Sequence, residues 1–369
     1  MPPPPPQLMD ELVEEILLRL PPDSPASLVR AGLICKRWCH LVSDPGFQRR
    51  FREHHRSPPI LGFLNTHIDD DGSTTVFVPE PASGLRRADH PRLHPRECRH
   101  GRVLLYSYHY DTTIVVWDPI TGERVQLPKP PPNLLLPSTW TVAVLCAAAA
   151  TPGGTCDHLD CHGGAFIVVL LMLEIDTPRI SSYVYSSESG AWSEPMISSP
   201  HSGGKMGGWA RGALLVGNAL CFMPYLCTTV LQYDLGTREI VAIHLPNATQ
   251  MDTTQLIATQ DGRLGFASVA ETTLFLWSRE VVGGGIWALR QVIDLKKLLL
   301  AMDFPRATIV PYLVGSAEGT GVIFLRVNGL RLVAIDLWSS GMVTTEVYER
   351  EPRSYISMMV VPYMVFFTP

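Results

Sequence analysis

The chain has 369 residues, 46% of them apolar and 18% charged, with a formal net charge of -5. That length suits a small module plus one large domain, or two medium domains, and the mild acidic balance argues against nucleic acid or an anionic membrane as the main partner. No apolar run reaches the ~20 residues of a spanning helix; the longest, 165–173, reads as a buried strand.

The chain opens on Met1 followed by five prolines. This stretch, residues 1–7, reads as a disordered or polyproline tail and not as a secretory signal. The expectation is a soluble chain of the cytoplasm or nucleus. Cysteines at 35, 39, 98, 146, 156, 161, 221 and 227 are scattered in apolar surroundings, which fits a reducing compartment. Asn247-Ala248-Thr249 spells a glycosylation sequon that has no meaning without secretion.

Helical spacing begins at Leu8. Leu8, Leu12, Ile16 and Leu20 recur every fourth residue and line one helix face. Asp10, Glu11, Glu14 and Glu15 occupy its first turns, where negative charge suits the helix dipole. Pro21-Pro22 ends it. Ser24 as cap and Pro25 at the first helical position predict a second helix. Its apolar residues include Leu28, Cys35, Trp38, Leu41 and Val42, and Gly32 marks a bend or break. Asp44-Pro45 repeats the cap-proline signal for a third helix, from Pro45 through Phe47 to about Arg52. Three short helices cannot bury this much apolar surface among themselves. Either they dock on the rest of the chain, or they leave a face for a partner.

Residues 8–56 resemble an F-box, the motif by which substrate receptors of Skp-cullin-F-box ubiquitin ligases hold a Skp-type adaptor. The matches run in order: Leu8, Leu12, Ile16-Leu17, Arg19, Leu20-Pro21, Cys35-Lys36-Arg37-Trp38 and Asp44-Pro45-Gly46-Phe47. Met9 replaces the usual proline, and Ile34 replaces a valine. The resemblance implies adaptor contacts from Leu8, Leu12, Ile16, Leu17, Leu20, Pro21, Leu28, Cys35, Trp38, Leu41, Val42, Pro45 and Phe47.

A basic cluster follows at Arg49-Arg50, Arg52, His54-His55 and Arg56, which reads as a solvated helix end, with a nucleic-acid patch as the alternative. Ser57-Pro58-Pro59 reads as a stiff linker, with a domain boundary near residue 58. From Ile60 to the C-terminus the pattern is short apolar runs between turns, and hence all-β.

A loose repeat runs through this region. Its copies are Val115-Val116-Trp117-Asp118-Pro119-Ile120-Thr121-Gly122, 183–190, 231–238 and 333–341, with a weaker one at 274–278. Asp or Ser can cap the turn, and Gly supplies the positive φ of a tight hairpin. A degenerate copy over 60–79 makes six. The spacing predicts a kelch-like β-propeller of about six blades; a β-sandwich or two stacked β-domains is the alternative. This half also resembles the β-rich associated domain of plant F-box proteins, especially those of the large grass families. The fold class is thus mainly β with a small all-α N-terminal module.

Cys156-Asp157-His158-Leu159-Asp160-Cys161-His162 gathers soft metal ligands in seven residues. Structural zinc usually draws ligands from two separated places. With no second pair nearby in sequence, the segment reads as a polar hairpin tip, with a metal as the alternative, and no cofactor or required metal is expected. No nucleophile elbow, phosphate-binding loop or His-Glu-x-x-His helix occurs. The expectation is a non-catalytic receptor subunit: a Skp-type adaptor, and through it a cullin complex, at one end, and an unknown protein target at the other. A β-propeller enzyme or ligand-binding protein with a helical extension is the rival.

Overall fold

The computed structural model describes residues 9–366, apart from 70–71, 108–112, 131–139, 151–155, 157, 159–160, 162, 174–178, 200–211, 225–227, 247–253, 281–284, 303–308, 329–330, 339–343 and 349–354. The proline tail, Leu8, Asp157, Asp160, His162, Cys227 and the sequon therefore lie outside the described residues.

Four helices open the described chain: α1 (Asp10–Leu18), α2 (Pro25–Gly32), α3 (Lys36–Val42) and α4 (Pro45–His55). The second predicted helix breaks after Gly32 into α2 and α3, where extended backbone at Cys35 restarts the helix. Asp44 caps α4 by accepting the Phe47 N–H at 2.9 Å. Ser24 does not cap α2; its hydroxyl pairs with that of Ser27 at 3.0 Å, and Pro25 alone marks the start.

The rest is antiparallel sheet. In chain order come β1 (Ile60–Asp69), β2 (Gly72–Pro79) and β3 (Ala88–Pro91). The next sheet is β4 (His94–Arg99), β5 (Arg102–Tyr106), β6 (Ile114–Trp117) and β7 (Arg124–Gln126). A third holds β8 (Trp140–Cys146), β9 (Phe166–Leu173), β10 (Ile180–Ser186), β11 (Ala191–Trp192) and β12 (Met196–Ser198). The fourth is β13 (Leu214–Val216), β14 (Ala219–Phe222), β15 (Thr229–Asp234) and β16 (Ile240–His244). The fifth is β17 (Thr254–Ala258), β18 (Leu264–Ala270), β19 (Thr273–Arg279) and β20 (Trp287–Asp294), followed by helix α5 (Leu295–Leu300). The sixth is β21 (Pro311–Ala317), β22 (Val322–Val327), β23 (Arg331–Asp336) and β24 (Thr344–Tyr348).

The last strand, β25 (Tyr355–Met364), does not extend the sixth sheet. It pairs with β1, giving the order β25-β1-β2-β3. Phe63 faces Pro362 and Leu64 faces Val361 across this seam. The first blade is thus built from both ends of the sheet region, and six blades close into a ring. Around the axis the leading strands contact one another as β13–β17, β17–β21, β21–β25, β25–β4 and β4–β8.

Packing explains why these strands read as apolar runs. Each sheet is covered on both faces by its neighbours, so side chains pointing either way are buried. Blades 2 and 3 share Tyr106, Val116, Trp140 and Val168; blades 3 and 4 share Leu145, Val169, Phe222 and Tyr233. Phe77, Trp117 and Tyr363 lie between blades 1 and 2, and Phe63 meets Phe324 between blades 6 and 1. Helix α5 was not legible as a helix in a β-rich stretch. Asp294 caps it, and Leu295 and Leu299 drop into the core between blades 5 and 6.

The copies at 115–122, 183–190, 231–238, 274–278 and 333–341 each start on the third strand of a blade and lead to its fourth, whereas the degenerate copy over 60–79 is β1 and β2, the second and third strands of the first blade. Asp118 Oδ1 accepts the Ile120 N–H at 2.8 Å and Gly122 has φ +77. Gly190 takes the same place in the third blade, with φ +65. The fourth blade departs from the expected chemistry: Asp234 caps Gly236 and Thr237, but the left-handed position falls on Arg238, φ +62. Arg238 gains contacts a glycine could not make, donating to the Ser193 hydroxyl at 3.0 Å.

Candidate functional site

Helix α1 has two apolar faces. Val13 and Leu17 turn inward and are buried with Leu28, Ala31, Val42, Phe47 and Phe51. Met9, Leu12 and Ile16 turn outward and are 64%, 46% and 50% exposed. Spacings of three and four residues put these three on one stripe. A second exposed pair, Leu33 and Ile34, sits in the break between α2 and α3 and is 79% and 66% exposed. An Asp10–Arg37 ion pair holds the start of α1 beside the start of α3. Arg50 pairs with Glu14, and a His55 ring N–H reaches the Leu18 carbonyl at 2.9 Å, so α4 clamps the length of α1. Burial lowers the His55 pKa, with the hydrogen bond to the Leu18 carbonyl opposing. Within the basic cluster Arg50 crosses to Glu14 of α1, whereas Arg49 lies 3.8 Å from Glu53 of its own helix and stays exposed.

The expected contact residues therefore separate by role. Leu12, Ile16, Pro21, Cys35 and Pro45 are exposed. Leu20, Trp38 and Leu41 are half-buried against the module core. Leu17, Leu28, Val42 and Phe47 are buried inside it and serve the fold, not an open surface. Leu33 and Ile34 were not among the expected residues. Their signal was available: large aliphatics flanking the helix break at Gly32 have no helical face to hide on.

At the propeller axis lies a second gathering of polar groups. Arg99 is almost wholly buried and donates to Glu97 at 2.8 Å and Glu318 at 2.7 Å. Glu97 accepts the backbone N–H groups of Val144 at 2.6 Å and Ala213 at 3.0 Å. Glu318 accepts that of Leu215 at 3.0 Å. One network thus ties blades 2, 3, 4 and 6. Burial raises the Glu97 pKa, with Arg99 opposing; burial also works against the Arg99 charge, but Glu318 and Glu97 outweigh it and hold its pKa above the usual value. These groups are satisfied by one another and by backbone, which suits a hub better than a reacting centre.

One described cluster could hold a metal: Cys146, Cys156, His158 and Cys161, whose ligand atoms all lie within 4.8 Å of one another. No second ligand pair lies near residues 156–162 in sequence. The fold supplies Cys146 from the end of β8.

Residues 95–369 match the family described as F-box protein AT5G49610-like, beta-propeller. Residues 6–50 match the F-box domain family. F-box protein At5g03970 of Arabidopsis thaliana is 22% identical over 322 residues, covering 77% of this chain and 68% of that protein. F-box protein At3g08750 of the same plant is 26% identical over 121 residues, covering 32% of this chain and 31% of its own length. Among solved structures, a Nidogen/Laminin complex aligns with TM-score 0.44 at 11% identity, over 82% of this chain and 98% of that one. A putative 6-phosphogluconolactonase from Bacteroides uniformis aligns with TM-score 0.42 at 11% identity, over 82% and 83%. Likenesses that remote carry nothing about activity.

Proposed function

The chain belongs to the F-box protein AT5G49610-like beta-propeller family and carries an F-box domain at its N-terminus, and on that premise we propose that it is the substrate-receptor subunit of a Skp-cullin-F-box ubiquitin ligase. In this reading the helical module binds a Skp-type adaptor, and the propeller recruits a protein target. Ubiquitin chemistry happens on other subunits; this chain supplies proximity. It works in the cytoplasm or nucleus.

The observation that carries the reading is the open face of α1. A helix present only to brace the propeller would bury its apolar residues within the chain. Here Leu12 and Ile16 stay open, as do Leu33 and Ile34, while Val13 and Leu17 complete the module's core. Burying a large aliphatic side chain contributes about 1.5–3 kcal/mol, and a few such anchors carry most of an interface. The satisfied Glu97–Arg99–Glu318 network supports a non-catalytic role for the axis.

The test is direct binding of the full chain to a purified Skp-type adaptor, followed by reconstitution with the cullin complex. Stable capture dependent on the α1 face supports the reading. A well-folded chain that captures no adaptor would overturn it.

A further inference from the structure

We propose that Cys146, Cys156, His158 and Cys161 form a closed site for a structural zinc ion. The inference is independent of how the helical module works.

The distances fit. Zinc bonds thiolate at about 2.3 Å, so the corners of a zinc tetrahedron lie about 3.8 Å apart. The Cys146 and Cys156 sulfurs are 3.9 Å apart. That is close to a tetrahedral edge and far beyond the ~2.05 Å of a disulfide. All three cysteines are free thiols. Three sulfurs and one imidazole are the soft and borderline donors that zinc selects over calcium or magnesium. Four protein ligands leave no open position, which marks a structural and not a catalytic centre.

The fold builds the site from both sides of a long connection. Cys146 is the last residue of β8 and pairs with Phe166 at the mouth of the hairpin. The other three ligands sit on the excursion between those residues. His158 adopts a left-handed conformation, φ +58, which turns the chain back so that residues 156, 158 and 161 converge. A non-glycine residue bears a cost of order 1 kcal/mol there, and ligation gives that turn a purpose. The His158 backbone N–H points at the Cys156 sulfur, 3.4 Å away, as a donor to a thiolate would.

Groups around the ligands suit a charged centre. The His100 ring stacks on His158 at 4.4 Å and 11°, and its Nδ1 accepts the Cys146 N–H at 3.0 Å. Arg102 donates to the carbonyl oxygen of Cys161 at 2.7 Å and to that of Gly164. A dication with three thiolates and a neutral imidazole leaves one net negative charge. The Arg102 guanidinium, which donates to the Cys161 carbonyl oxygen, offsets it. Because His100 and Arg102 belong to blade 2 and the ligands to blade 3, the ion would staple the excursion across the seam between those blades.

The experiment uses the full chain, purified with reductant and without chelator from zinc-replete cells. Elemental analysis should give about one zinc per chain. Exchange into cobalt should give thiolate-to-cobalt charge transfer and the strong visible bands of a tetrahedral ion. Cys156→Ser and Cys161→Ser should lose the metal. Since loss of a cysteine can also prevent folding, His158→Cys serves as a second variant: it should keep one metal and shift the cobalt bands as a fourth sulfur enters. A soluble wild-type chain with reduced thiols that carries no metal and gives no cobalt spectrum overturns the proposal. So does metal content unchanged in the cysteine variants, iron in place of zinc, or a thiol count showing two of these cysteines in a disulfide.

Discussion

Phe366 meets Phe51 edge-on, with ring centroids 6.4 Å apart and planes at 81°. Phe51 lies in the last helix of the N-terminal module; Phe366 follows the strand that closes the propeller ring. Both are almost completely buried, and Phe366 belongs to the module's core together with Val13, Leu17 and Leu28. The stiff linker at 57–59 marks a boundary in sequence between the two parts. This contact crosses it, so the helical module borrows a core residue from the far end of the chain.

Phe366→Ala should therefore destabilise the helical module. Removing a buried phenylalanine costs about 3–5 kcal/mol. Hydrogen exchange should show α1 and α4 losing protection while the blades keep theirs. A fragment ending near Ser57 should fold only when co-expressed with an adaptor, because its small core then lacks Phe366 as well. Equal protection in wild type and variant would refute the shared core.

On α1, adjacent residues should behave oppositely. Ile16→Asp should weaken adaptor capture at least tenfold, about 1.4 kcal/mol, without changing the melting temperature, since Ile16 is half exposed. Leu17→Ala should lower stability by about 2–5 kcal/mol, since Leu17 is buried. Adaptor affinity and thermal melting, measured on both variants, separate the surface effect from the core effect. Leu33→Asp should follow Ile16→Asp.

At the axis, Arg99→Met should cost about 3–5 kcal/mol, because it leaves the buried Glu97 and the half-buried Glu318 with no cation. Adding Glu97→Gln to that variant should recover part of the loss. Urea unfolding of the single and double variants measures the coupling. Additive losses would mean that the two side chains do not act as a unit.

Stability should also fall with acid in a window set by His90. This side chain is fully buried on β3 against Trp117, with ring centroids 4.3 Å apart. Neither of its ring nitrogens has a hydrogen-bond partner among the described residues. Burial, and then the Arg124 charge, lowers its pKa from 6.5 to about 4, with Asp89 opposing. The unfolded chain takes up the proton first as pH falls. The stabilisation is thus complete above pH 6.5, declines as pH drops towards 4, and amounts to at most about 3 kcal/mol. Urea midpoints from pH 7.5 to 4.5 should show this slope, and His90→Gln should flatten part of it.

Local chemistry determined much of this protein. Helix starts at Pro25 and Pro45, the break at Gly32, and the Asp118-to-Gly122 turn each depend on a few neighbouring residues, and each is readable in the chain. Recurrence of that turn implied the blades, because one hairpin repeated at long intervals has few packings other than a ring.

What the sequence could not assign was the direction of a side chain within an apolar surface, or the meeting of residues far apart in the chain. Leu12 and Leu17 are the same residue type on one helix; only packing against α4 and Phe366 makes one a surface group and the other core. Arg238 in place of a turn glycine, and α5 inside a strand-rich stretch, escaped because tertiary contacts there outweigh local preference. The same holds for the Arg99 hub and for Cys146 beside Cys156. Hydrogen-bond register along β8 and ring closure by β25 set those distances, and such long-range geometry leaves no mark in residue spacing.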